Sequence, residues 1–245
     1  MADEAVTDTV AGAPTRRERV RAATIDEIKQ TALTLMRQQA TTDVRFADIA
    51  RSMGLTAPAL YRYFADRDEL LTAMIVDAYE DLAAALGDAT SAVAHDDVWG
   101  QLVAIAQAYR LWARRDPAQF ALIFGMPVPG YAAPADGPTA EAAKRAMGNL
   151  EGVVVAAIES GRARPALVGE VNATLASELE ADSHVSAGVP PAARQAMLLA
   201  WVSLHGFACL EAYGQLAHLS EEARDALFAA DVRLSAAALG LPGPE

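Results

Sequence analysis

The chain has 245 residues, of which 53% are apolar and 21% charged: enough apolar surface for a sizeable core, and too much for a disordered chain. A single cysteine, Cys209, excludes a disulfide framework and any cysteine-based zinc site. The net charge of −12 speaks against a nucleic-acid partner only as a total: between Arg16 and Arg67 ten basic residues meet six acidic ones, leaving +4 there and −16 elsewhere.

Alanine is abundant and aromatics make up only 6%, so the expected fold class is all-α. Residues 1–15 have no helical apolar period and predict a flexible tail. Thr15 and Glu18 have the spacing of a capping box, and Ile25, Ile28, Ala32, Leu35 and Met36 give the first helix one buried stripe. Thr41 to Asp43 offer a cap for a short second helix with Phe46, Ile49, Ala50 and Met53 inward. Gly54 follows, Thr56 is a cap candidate for a third helix, and Pro58 is tolerated in its first turn. Asp66 and Glu69 open a fourth helix, Arg67 to Leu86, with Leu70, Leu71, Met74, Ala78 and Leu82 on its core side. Further helices are expected over Val98–Arg114, Pro117–Phe124, Lys144–Ser160, Leu167–His184, Ala192–Leu216 and Glu221–Leu239, the last ended by Gly240 and Pro242. Gly125 to Thr139 reads as a loop rich in proline and glycine. Neither the proline-bearing run Pro117–Ala135 nor the 16-residue run Gln195–Leu210 suits a bilayer, which needs about 20 apolar residues. The start of the chain lacks the apolar region of a signal peptide, so a cytoplasmic protein without membrane contact is expected.

The second helix, the Gly54 corner and the third helix have the plan of a helix-turn-helix, with Leu55 expected to plug the space between the two helices. The third helix offers Thr56, Ala57, Pro58, Ala59, Tyr61, Arg62 and Tyr63 to a partner. Small residues at its start permit close approach to a major groove, and its hydroxyls and guanidinium suit phosphates or a guanine edge. Arg67 is placed beside it for a backbone phosphate, and Arg45 joins the DNA-binding candidates.

The string FADIARSMGLTAPALYRYFADRDELLTAMI, residues 46–75, resembles the DNA-binding signature of the tetracycline-repressor family of bacterial regulators. The matching elements are Ile49-Ala50, Gly54, the Tyr61–Phe64 pair and the Asp66–Leu71 entry to the fourth helix. The family commonly has Thr or Ser where Phe46 stands and Lys where Arg67 stands. The resemblance implies nine or ten helices: three for DNA within residues 16–66, and a ligand-binding and dimerisation body over residues 67–245. Trp201, His205 and Gly206 resemble the Trp-His-Gly class of C-terminal domain known on some members, and the Gly125–Pro134 loop is similar to one in that class.

On this reading the partners are double-stranded DNA, a small-molecule effector and a second copy of the chain, with no cofactor and no metal, since His95, His184 and His218 are isolated. Tyr109, Trp112, Phe120, Phe124, Met126, Tyr131, Trp201 and His205 are candidates for an apolar effector pocket, and equally for ordinary core. His205 can instead be a half-buried histidine bonded to a neighbouring carbonyl or carboxylate. Cys209 reads as a buried small hydrophobe. Gly206, Leu210, Tyr213, Phe228, Val232 and Ser235 are the dimer candidates, with Gly206 expected where two helices approach closely. Two other classes compete: a helical enzyme using His205 and Glu211, and an effector-independent regulator or adaptor. The first lacks a nucleophile elbow, a P-loop and any metal spacing.

Overall fold

The computed structural model describes residues 15–134, 136–163, 170–181 and 189–241. Among these are ten α-helices and no strand: α1 (Arg16–Gln39), α2 (Phe46–Ser52), α3 (Ala57–Leu60), α4 (Arg67–Ser91), α5 (Val98–Arg115), α6 (Pro117–Phe124), α7 (Pro138–Glu159), α8 (Ala173–Ala181), α9 (Pro191–Ala212) and α10 (Glu221–Ala238). The chain divides into two compact units at Leu70/Leu71, inside α4. Residues 1–14 of the expected tail, Leu167, His184 and Pro242 lie outside the described residues, while Thr15, placed at the end of that tail, is the N-cap of α1.

Local chemistry sets most helix starts. Thr15 and Glu18 close the capping box, the Glu18 N–H donating to Thr15 Oγ1 at 3.3 Å and the Thr15 N–H to Glu18 Oε2 at 2.7 Å. The Glu18 carboxyl is accordingly held below the usual carboxylate range by the Thr15 backbone and side chain. Asp66 accepts from the Glu69 N–H at 2.8 Å, Asp97 from the Gly100 N–H at 2.8 Å and Ser220 from the Ala223 N–H at 3.2 Å. Asp116 takes the Ala118 and Gln119 N–H groups with Pro117 in the first turn of α6.

Several helix ends differ from expectation; α8 begins at Ala173, and residues 170–172, expected within that helix, are not helical. Helix α2 starts at an Arg45 N-cap with no side-chain bond, and Thr56 likewise makes no capping bond, so neither proposed cap forms. Helix α4 continues through Gly87 to Ser91. Helix α7 begins at Pro138, not Lys144, because Gly137 and Pro138 are helix-entry residues rather than loop. Helix α9 stops at Ala212, and Gly214 follows with a φ of 73°.

In the N-terminal unit α2 packs on α1 and α3. Its core holds Ile28, Ala32, Met36, Val44, Phe46, Ile49, Ala50, Leu60 and Phe64. In the C-terminal unit α5 packs against α6, α7, α9 and α10, and α9 also takes α8 and α10. Leu82, Leu86, Leu102, Ile105, Tyr109, Trp112 and Phe120 lie in one apolar cluster there, and Ala106, Leu204, Phe207, Phe228 and Val232 in another.

Candidate functional site

The N-terminal unit builds a short, outward-facing recognition segment. Helix α2 ends in a Schellman turn: the Gly54 N–H donates to Arg51 O at 3.2 Å and the Leu55 N–H to Ala50 O at 2.8 Å, with Gly54 at φ 67°. Helix α3 is a single turn, Ala57–Leu60, followed by turns through Tyr63. Buried Leu60 and Phe64 anchor this segment from below. Thr56, Pro58, Tyr61 and Arg62 are exposed, while Ala57, Ala59 and Tyr63 are half-buried. Leu55 is exposed and does not plug the corner, because the Schellman turn carries its side chain outward. Buried Phe46, the first residue of α2, meets the ring of Tyr61 at 5.2 Å. The residue that departs from the family pattern thus supports the recognition segment.

Arg45 is exposed. Arg67 is committed to its own unit: Nε donates to Val44 O at 3.0 Å and Nη2 meets Asp43 Oδ1 at 2.6 Å. It therefore ties the α1–α2 connection to the start of α4.

The C-terminal unit gathers an aromatic site around His205. Trp201, one turn before it on α9, stacks on the imidazole at 4.9 Å, Phe124 meets it edge-on at 5.0 Å, and Phe120 lies 5.8 Å away. The Tyr109 hydroxyl is 2.6 Å from His205 Nδ1, and Cys209 Sγ is 3.3 Å from Nε2. Either imidazole tautomer closes both contacts, one partner donating while the other accepts. Burial pushes the Tyr109 phenol and the Cys209 thiol up and the His205 imidazole down, so all three are neutral near pH 7. The histidine's partners are a phenol and a thiol, not the carbonyl or carboxylate envisaged from sequence, and Cys209 is half-buried with a polar contact rather than a mere core hydrophobe.

Five of the pocket candidates, Tyr109, Phe120, Phe124, Trp201 and His205, therefore meet. Three do not join them on equal terms. Met126 is 86% exposed, since the loop after α6 carries it away from the core. Trp112 is buried and touches Phe120 at 6.3 Å, but its Nε1 donates to Asp81 at 2.8 Å. The Tyr131 hydroxyl bonds Thr72 Oγ1 at 3.0 Å, which fixes the proline-rich loop to α4. Tyr213, placed with the dimer set, instead packs its ring 5.8 Å from Phe120.

The sequence reading missed a buried ionic cluster. Arg110 and Glu211, each 3% exposed, form a bidentate pair, Nε to Oε2 at 2.6 Å and Nη2 to Oε1 at 2.7 Å. Arg110 also meets Asp225 at 2.8 Å and lies over the Phe207 and Phe228 rings. The hydrogen bonds it donates to Glu211 and Asp225 hold its guanidinium above its ordinary pKa. Arg114 and Arg224 approach the same Glu211 oxygen at 3.8 and 3.7 Å. An arginine within the apolar stripe of α5, one residue after Tyr109, was the available signal. This cluster removes the pairing assumed by the enzyme reading: both Glu211 oxygens are occupied by guanidinium and both His205 nitrogens by Tyr109 and Cys209.

The dimer candidates on α10 need correction. Phe228, Val232 and Ser235 are buried within the subunit, because this stripe packs toward α5 and α9, and they cannot form an outer face. The exposed apolar residues are Leu198, Leu199, Val202 and Leu210 on α9 and Leu227 and Leu234 on α10. A Cβ at Gly206 would meet no atom within 4 Å, so no helix of the same subunit approaches it closely.

Residues 28–74 match the family model described as "Bacterial regulatory proteins, tetR family", and residues 102–234 match "Tetracyclin repressor-like, C-terminal domain", more than half of the chain. Over 116 residues the chain is 45% identical to the HTH-type transcriptional regulator Rv1816 of Mycobacterium tuberculosis, covering 47% of this chain and 49% of that protein. The match thus spans about half the length of this curated relative. The solved structure of regulatory protein SCO4313 is 32% identical, with a TM-score of 0.72 over 90% of this chain and 98% of that one. The TetR family transcriptional regulator PfmR of Thermus thermophilus shares the fold at 17% identity, with a TM-score of 0.56 over 89% of this chain and 99% of its own.

Proposed function

The chain belongs to the tetracycline-repressor family of DNA-binding transcriptional regulators, and on that premise we propose that it is a dimeric repressor released from a pseudo-palindromic operator by a small molecule. The observation that carries the DNA reading is the α3 segment, which exposes Thr56, Pro58, Tyr61 and Arg62, in a stretch of net positive charge within an acidic chain. Residues 16–66 carry the DNA contacts; residues 67–245 carry the effector and the partner subunit. Thr56, Ala57, Pro58, Ala59, Tyr61 and Arg62 face the groove, Arg62 toward a guanine edge, and Arg45 and Tyr63 the backbone. Two copies place their segments in successive major grooves.

The effector site is the aromatic cluster of Tyr109, Phe120, Phe124, Trp201 and His205, apolar with one neutral polar centre. Its connection to α4 supports the release: Phe124 meets Tyr79 of that helix edge-on at 6.0 Å, and α4 runs unbroken from Arg67 to Ser91. An effector acts only by its unequal affinity for two arrangements of that helix. Gly206 and the outward leucines of α9 and α10 supply the dimer face, and Trp201, His205 and Gly206 support the Trp-His-Gly class for this domain.

A random duplex pool selected with the full chain, followed by gel shift, tests the reading. Enrichment of a two-fold-related motif, lost with Tyr61→Ala and Arg62→Ala, is expected. Absence of any enriched motif at low salt overturns it.

A further inference from the structure

The second half of the recognition segment, Tyr61 to Tyr63, lies beyond any helix. Helix α3 ends at Leu60, and α4 begins at Arg67. The Tyr63 and Phe64 N–H groups both donate to Leu60 O, at 2.9 and 3.1 Å, and the Arg62 N–H donates to Ala59 O at 3.4 Å. Among the described residues, these bonds leave the Arg62 carbonyl without a backbone donor. From α2, Phe46 supports the Tyr61 ring at 5.2 Å. From α1, a single side chain makes two contacts on consecutive residues. Arg21 Nη1 donates to Arg62 O at 2.8 Å, and the Arg21 guanidinium lies 5.4 Å from the centre of the Tyr63 ring.

An exposed arginine spends its entropy on such a geometry only if the contacts return it. Here the donor is charged and the acceptor is a carbonyl that no backbone group reaches, which strengthens the bond. The planar cation on Tyr63 fixes the orientation of the same residue pair.

We infer that Arg21 is a positioning residue for DNA recognition, clamping the turn after α3 so that Tyr61 and Arg62 are presented in register. This rests on the DNA-binding reading above. Arg21 acts through Arg62 and Tyr63 and does not itself neutralise a phosphate.

Positioning and phosphate contact give different signatures. Losing a phosphate contact weakens all duplexes alike and reduces the slope of log K against log salt by about 0.9. Losing positioning weakens the selected duplex, spares a scrambled one and leaves the slope intact. The test uses the duplex selected from a random pool by the unaltered chain, with a scrambled duplex as control. Arg21→Ala is expected to cost about tenfold on the selected duplex and less than about twofold on the scrambled one. Arg21→Lys, which keeps a donor and a cation over the ring, recovers most of the loss. Arg21→Ala is also expected to speed amide exchange at Tyr63 and Phe64 while the rest of the N-terminal unit keeps its protection. Equal losses on both duplexes, a shallower salt slope, or unchanged affinity for the selected duplex overturns the inference while leaving DNA binding standing. Failure of the unaltered chain to select any duplex overturns both.

Discussion

Replacing Glu211 by alanine is the sharpest perturbation of the C-terminal unit. The side chain is 3% exposed and accepts both bonds of the Arg110 fork at 2.6 and 2.7 Å. Arg114 and Arg224 lie within 3.8 Å of the same carboxylate. Its removal leaves three guanidiniums gathered at one place, with only Asp225, 59% exposed, still bonded to Arg110. Breaking a buried pair from one side costs about 3–5 kcal/mol, whereas losing an exposed pair costs less than about 1 kcal/mol. At about 2–4 °C per kcal/mol for a unit of this size, the melting temperature falls by roughly 10 °C. The assay is built into the sequence, since all three tryptophans, Trp99, Trp112 and Trp201, belong to the C-terminal unit and report its unfolding. Removing both charges together, with Arg110→Met and Glu211→Leu, is expected to recover most of the loss, because a methionine still packs on Phe207 and Phe228. A loss below about 1 kcal/mol for Glu211→Ala, or a double variant no better than the single one, refutes the reasoning.

Other expectations follow from the same contacts. Leu234 is 70% exposed on α10, and Leu234→Glu should convert the proposed dimer to monomer in sedimentation without lowering helicity, whereas Phe228→Ala should cost about 3–5 kcal/mol in unfolding through the cavity it leaves. Burial lowers the His205 pKa, so the folded chain binds fewer protons than the unfolded one; stability is fully present above about pH 6.5 and falls as the pH drops below it. His205→Asn should flatten that acid limb, and an unchanged slope between about pH 7.5 and about pH 5.5 counts against the burial argument. Gly54, at φ 67° with open space around its Cβ position, should tolerate Asn but lose about 1 kcal/mol as Ala, measured by denaturation followed through the N-terminal unit's amide exchange.

Local bonding made much of this molecule legible in advance. A Thr15–Glu18 box, an Asp66 cap, a glycine closing α2 and a proline opening α6 are satisfied within a few residues, so the amino-acid order alone determines them. The motif over residues 46–75 carried the family, although the expected Thr41–Asp43 and Thr56 caps and the Leu55 plug beside it do not form. Tertiary structure decided which face of each helix turns inward. Helix α10 has apolar residues on both sides, Phe228 and Val232 within the core and Leu227 and Leu234 outside, and periodicity cannot choose between two apolar stripes. It likewise decided that Arg110 would meet Glu211 across 101 positions, that Arg67 would bond its own unit, and that His205 would join Tyr109 across 96. Those partners depend on the rotation and register of packed helices, which no single segment encodes.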